Sequence, residues 1–172
     1  PEEWEKPENK SKLAQKDIDA DWTKKNGERH FGYKDHVKCD ADSKLITNYS
    51  VTSASVHDSQ RCLVFIGQED EVLYADSAYS GKPIALALPE NCENQICEKG
   101  YRNSPLTSEQ KMNNRRKSRI RCRIEHIFGF MTGAMHGITI RSIGITRAWM
   151  NIGITNLVYN FCRYSYLKRT SA

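Results

Sequence analysis

Residues 119–130 read RIRCRIEHIFGF, and Glu125 is the one acid among Arg119, Arg121 and Arg123. On a helix, Arg121 and Glu125 stand four apart and share an edge. A second acid, Asp76, ends the apolar run EVLYAD at 71–76. A carboxylate at a strand end and another on a helix edge can converge on a hard cation such as Mg²⁺ or Mn²⁺, which takes carboxylate oxygens. Paired ions of this kind clamp the attacking and leaving oxygens of a phosphodiester. Each acid also has a plainer reading. Glu125 can be a surface partner of Arg121, with a few tenths of a kcal/mol at stake, and Asp76 can be a turn former. His57-Asp58 offers a further pair. Asp58 reads as a helix cap, which leaves His57 either structural or close to the site.

Charge sharpens the first reading. The chain of 172 residues carries +5. Residues 99–123 hold nine basic groups, among them Arg115, Arg116, Lys117, Arg119, Arg121 and Arg123, and one acid, Glu109. That segment is +8, so the remainder is −3. A concentrated basic field suits a polyanionic partner; the alternative is a solvated helix face. The sequence has no apolar run long enough to cross a membrane and no charged-then-apolar leader. The six cysteines show no C-x-x-C pair and no completing histidine, so they read as cytoplasmic thiols rather than zinc ligands.

The elements that must position these residues follow from pattern. Residues 1–29 are charged and without apolar period, and read as an extended arm. HFGYKDHVKCD (30–40) and LITNYSVTSA (45–54), joined by turn residues 41–44, read as an antiparallel hairpin. Ser55 and Asp58 form a capping-box pattern that opens a helix ending at Gly67. EVLYAD reads as a fully buried central strand, with a short helix near Pro83–Leu88 beyond it. Thr107 and Gln110 cap a long helix running to Gly133, its apolar stripe being Ile120, Ile124, Ile127, Phe128 and Met131. A last helix covers about 146–167. The class is α/β.

ADSAYSG (75–81), RIRCRIEHIFG (119–129) and VTSASVHDSQ (51–60) resemble the catalytic domain of bacterial insertion-sequence transposases of the DDE type, in the group named after insertion sequence five. LAQKDIDADWTKKNGERHFGYKDH (13–36) resembles the segment before the hairpin in that group. The resemblance implies a ribonuclease-H-like mixed sheet flanked by helices over residues 30–172. It implies three acids holding Mg²⁺ or Mn²⁺, and double-stranded DNA cut and joined by a homo-oligomer in transposition. Asp76 then matches the second acid and Glu125 the third. Arg121 matches the arginine of the group's Tyr-Arg-Glu-Lys signature, whereas Ser118 and Thr132 depart from its tyrosine and lysine. The first acid belongs to a first strand that the chain is expected to lack. Asp17, Asp19 and Asp21 lie in a stretch read as non-strand, and Asp40 and Asp42 read as turn residues. The implied activity is DNA phosphoryl transfer, with this chain alone inactive. The alternatives are a non-catalytic DNA-binding remnant and a metal-dependent nuclease of the same fold.

Overall fold

A strand sends successive side chains to opposite faces, and β2 (Glu28–Cys39) buries something on each. On one face Val37 joins Ile127, Met131 and Tyr159. On the other, His36 reaches Thr52 and Lys38 reaches Asp70. The computed structural model describes residues 6–25 and 27–170. In it β2 is the middle of a three-stranded antiparallel sheet with β1 (Asp21–Lys25) and β3 (Ile46–Ser53). β3 pairs with residues 33–39 of β2, so the expected hairpin is present.

The arm expected over residues 1–29 is corrected at two places. Lys10–Ala14 form a short helix, α1, and Asp21–Lys25 form β1, paired with residues 28–32. Lys25 faces Glu28, and Gly27 takes the left-handed φ of +89° that a tight turn asks of glycine. Trp22 meets Phe31 across the pair, ring centroids 5.2 Å apart. Such cross-strand aromatic pairs hold an exposed hairpin without a buried face.

α6 (Ile145–Thr170) lies on the Val37 face of the sheet, burying Ala148, Ile152, Asn156 and Tyr159. Its side chains also fasten the β2–β3 turn. Tyr159 donates its hydroxyl to the Lys44 carbonyl, Arg163 donates to that of Ser43, and Asn160 bonds both backbone groups of Ile46. Gly153 on this helix permits close approach, because a Cβ there would overlap the Tyr49 phenol. The acids of the N-terminal segment cap the helix: Asp17 accepts from Gly144 N at 3.3 Å and Asp19 from Ile145 N at 3.0 Å. Carboxylates suit the positive end of a helix.

The other face carries α2 (Ser59–Phe65), α3 (Lys82–Ala87) and a second sheet. Cys62, Ile84 and Ile96 form its small core, with Leu73, Ala75 and Tyr79 packed around them. Here the central-strand expectation fails. The run 71–76 contributes only β4 (Val72–Leu73), paired in parallel with β5 (Glu93–Asn94) in a separate two-stranded sheet. Val72 is 38% exposed. An apolar run with one strand neighbour cannot be buried as a central strand is.

The capping box is as expected: Gln110 N donates to Thr107 Oγ1 at 3.2 Å, and Thr107 N to Gln110 Oε1 at 2.9 Å. The helix it opens does not run unbroken to Gly133. It divides at Cys122 into α4 (Ser108–Arg121) and α5 (Arg123–Gly133). The Cys122 thiol bonds back to the Arg119 carbonyl at 3.3 Å, and this competition with the backbone ladder bends helices.

Candidate carboxylate site and nucleic-acid interface

Asp76 is positioned by a parallel ladder longer than its two-residue strand. Glu93, Gln95 and Cys97 donate in turn to the carbonyls of Glu71, Leu73 and Ala75, at 2.8, 2.9 and 3.0 Å. The chain then turns, and Asp76 Oδ1 caps the short 3-10 helix Ser77–Tyr79 by accepting from Ala78 N at 2.7 Å. The turn-former reading is therefore satisfied, with the carboxylate set just beyond the ladder. Tyr79 lies half-buried beside it. Its phenol is pushed well up, first by burial and then by the negative charges of Asp58 and Asp76.

Asp58 occupies the N-cap position of α2 without a side-chain cap bond. Its backbone is already helical, so the expected capping box at the start of α2 does not form. The carboxylate instead meets Lys34 at 3.2 Å and His36 Nδ1 at 3.8 Å. Burial lowers the His36 pKa, partly offset by Asp58, and its Nε2 lies 2.8 Å from Thr52 Oγ1. His57 is exposed immediately before α2. Between the two sheets runs a tighter clip. Lys38 Nζ sits 2.6 Å from Asp70 Oδ1 and donates to the Phe65 carbonyl at 2.9 Å, while Asp70 also accepts from Gly67 N at 2.8 Å.

Glu125 lies on the exposed edge of α5, 2.9 Å from Arg121 Nη2 across the Cys122 break. The helix-edge pairing read from the sequence is therefore formed. α4 is fastened to the Asp76 side of the fold by Lys117, which donates to the Ile96 carbonyl at 3.0 Å, and by Ser118 against the Cys97 thiol at 3.7 Å. This chain of contacts, from Asp76 through residues 75, 97 and 118 to Arg121 and Glu125, ties the two candidate acids to one framework.

The six basic residues divide by what they touch. Arg115, Arg116 and Arg119 are exposed and, among the described residues, in no ion pair. At 100° per residue they cover about one quarter of the helix circumference. Lys117 is engaged with the strand carbonyl, and Arg121 with Glu125. Arg123 docks α5 onto the β2–β3 turn, bonding the Ala41 carbonyl and Asp42 Oδ1. Among the described residues no group of three His, Cys, Asp or Glu side chains comes together as a metal site. Asp17 is taken up structurally. Burial raises its pKa, but the Tyr33 hydroxyl and the N–H groups of Gly144, Asp19 and Ala20 hold it below the ordinary value. Neither the Lys38–Asp70 clip nor the effect of Asp58 and Asp76 on Tyr79 is legible in the sequence, because both depend on contacts across the fold. All six cysteines are free thiols.

Over residues 3–161 the chain matches the family model described as Transposase DDE domain, and it belongs to that family. It is similar to the transposase for insertion sequence element IS1106 of Neisseria meningitidis serogroup B, 33% identical over 117 residues, which is 66% of this chain and 40% of that protein. The chain thus spans less than half the length of that relative. No solved structure matches it. No helix among the described residues is long and apolar enough to cross a membrane.

Proposed function

We propose that this chain is the catalytic part of an insertion-sequence transposase of the group named after insertion sequence five. Its residues 30–172 belong to a ribonuclease-H-like domain that cuts and joins double-stranded DNA in the cytoplasm as a homo-oligomer. The family match over residues 3–161 carries the reading. The geometry supports it through the single framework that links Asp76, the basic helix and the Arg121–Glu125 pair.

Arg115, Arg116 and Arg119 hold the phosphate backbone along the exposed face of α4. Asp76 and Glu125 are the metal-holding carboxylates. As hard oxygen donors they fit Mg²⁺ or Mn²⁺, but two acids do not make the three-acid set, and among the described residues no three such ligands come together. When bound, the ion supplies charge neutralisation at the reacting phosphate. Arg121 keeps the Glu125 carboxylate oriented and presents its guanidinium toward the phosphate, where a preorganised donor is worth about 3 kcal/mol in the transition state. Tyr79 stays protonated between Asp58 and Asp76 and can donate a hydrogen bond there.

The test uses a full-length transposase bearing this domain. Asp76→Asn and Glu125→Gln should each abolish Mg²⁺-dependent end cleavage while changing DNA affinity by less than about threefold. Arg121→Ala should lower cleavage about 100-fold with affinity similarly kept, as the loss of about 3 kcal/mol requires. Cleavage that survives either carboxylate change refutes the assignment. The incomplete acid set favours a second reading for the 172-residue chain by itself, that it binds DNA without cutting it. Mg²⁺-dependent nicking by this chain, lost on Asp76→Asn, would reverse that. Failure to join pre-cut ends, with cleavage intact, would mark a nuclease of the same fold.

A further inference from the structure

α6 is apolar on two opposite sides. Its buried side, Ala148, Ile152, Asn156 and Tyr159, lies on the sheet. On the far side Met150, Ile154, Leu157, Phe161 and Tyr164 are 66, 51, 52, 62 and 52% exposed, with Val158 at 42% on the rim. At 100° per residue the two sets centre about 160° apart. A surface helix ordinarily turns charged and polar residues outward, and one that is apolar all round is covered on all sides. The exposed set recurs at intervals of four and three residues. That is the spacing with which one helix packs along another, knobs into holes.

We infer that this face is an interface between two copies of the chain, joined by antiparallel packing of α6 on α6 about a twofold axis. The flanks of the stripe carry Asn151, Gly153, Asn160 and Ser165, all uncharged. Self-pairing therefore sets no like charges along the middle of the seam. Arg163 is turned to the Ser43 carbonyl, and the other cations of the helix lie toward its ends: Arg147 in the first turn, Lys168 and Arg169 in the last. A parallel pair would press Lys168 on Lys168 within the stripe's own line. The antiparallel pair separates the two C-terminal turns, sets each Lys168 near an Arg147 of the other copy that lies off the stripe's line, and opposes the helix dipoles. The area suffices. Six side chains about half exposed offer about 100 Å² each, or about 600 Å² per copy, given about 150–250 Å² for a whole aromatic side chain. The total of about 1,200 Å² reaches the lower bound of a stable interface, and a twofold pair is the commonest closed assembly. A patch of about 600 Å² stands at the top of the range found on monomers, where such patches are often functional.

The inference rests on the homo-oligomer proposed above, and the experiment is sedimentation equilibrium on the 172-residue chain with neither DNA nor metal present, so its outcome leaves the assignment of Asp76, Glu125 and Arg121 untouched. At about 50 µM the 19.8 kDa chain should weigh as two copies. Leu157→Glu with Phe161→Glu should raise the dissociation constant at least about 100-fold, leaving the far-UV circular dichroism unchanged. Should that variant unfold, Ile154→Lys with Tyr164→Lys decides in the same way. Amine cross-linking should leave Lys168 unjoined to its counterpart, since about 16 Å of helix on each side of Leu157 separates them by about 33 Å. A monomeric wild-type chain would mean that the face serves some other segment or partner. That result, a pair that survives the glutamates, or a Lys168–Lys168 cross-link would each overturn the proposal.

Discussion

Asp35 sits in mid-β2 with Oδ1 accepting from Asn156 Nδ2 at 3.3 Å. Its Oδ2 and the Asn156 Oδ1 are both buried without a partner among the described residues. Both are acceptors, so neither can satisfy the other while the acid is ionised. Burial pushes the Asp35 carboxyl up to about 6, and the bond from Asn156 pulls it only partly back. The unfolded chain releases this proton near 3.8, the folded chain near 6. Between those values the native state binds the extra proton, so stability falls as pH rises through the window and levels off above it. About two pKa units correspond to about 3 kcal/mol. Asp35→Asn removes the charge and supplies an N–H for Asn156 Oδ1. It should therefore stabilise the protein by about 2–3 kcal/mol at pH 8 and by only about 0.6 kcal/mol at pH 4. Urea unfolding of both proteins at pH 4, 6 and 8 measures this, and the difference between them cancels the groups that titrate in both. A difference that stays flat with pH, or that favours Asp35 at pH 8, would refute the buried, proton-retaining acid.

Other consequences are read by simpler assays. If about six phosphates are contacted, log affinity for duplex DNA should fall with log salt at a slope near −5. Reversing Arg115, Arg116 and Arg119 to glutamate should then flatten the slope by about 3, and an unchanged slope would remove that face of α4 from the interface. Lys38→Met should destabilise by about 2 kcal/mol in urea, because Asp70 is then left mostly buried with Gly67 N alone; a loss under about 0.5 kcal/mol would mean the clip is idle. Thr107→Ala should cost about 1 kcal/mol by removing one half of a formed capping box, and no loss in thermal unfolding would show that α4 is held by packing alone.

What could be read from the sequence was local, and what could not depended on contacts across the chain. The Thr107–Gln110 box spans four residues and formed as expected. β1 was locally legible too, since Asn26-Gly27 between WTKK and ERHF is a strong hairpin signal; charge across residues 1–29 masked it, although an exposed hairpin needs no apolar period. EVLYAD misled because apolar content measures how much a run would bury, while its neighbours decide how much it does, and here only one strand pairs with it. The stripe from Ile120 to Met131 concealed the break because the stripe's period survives a single back-bonded cysteine. Within the candidate site, the four-residue step from Arg121 to Glu125 was legible, being a property of any helix. The use of Arg123 was not. Two residues beyond Arg121 in the same basic run, it turns to a hairpin loop eighty-odd residues away in sequence and docks α5 there. Lys117 likewise serves a strand carbonyl. One dense basic run is therefore divided: Lys117 and Arg123 fix the helices to the fold, and Arg115, Arg116 and Arg119 stay exposed on the face proposed above for DNA. A lone glutamate belongs at the joint between them, where Arg121 can hold a carboxylate at the surface without drawing it into the packing.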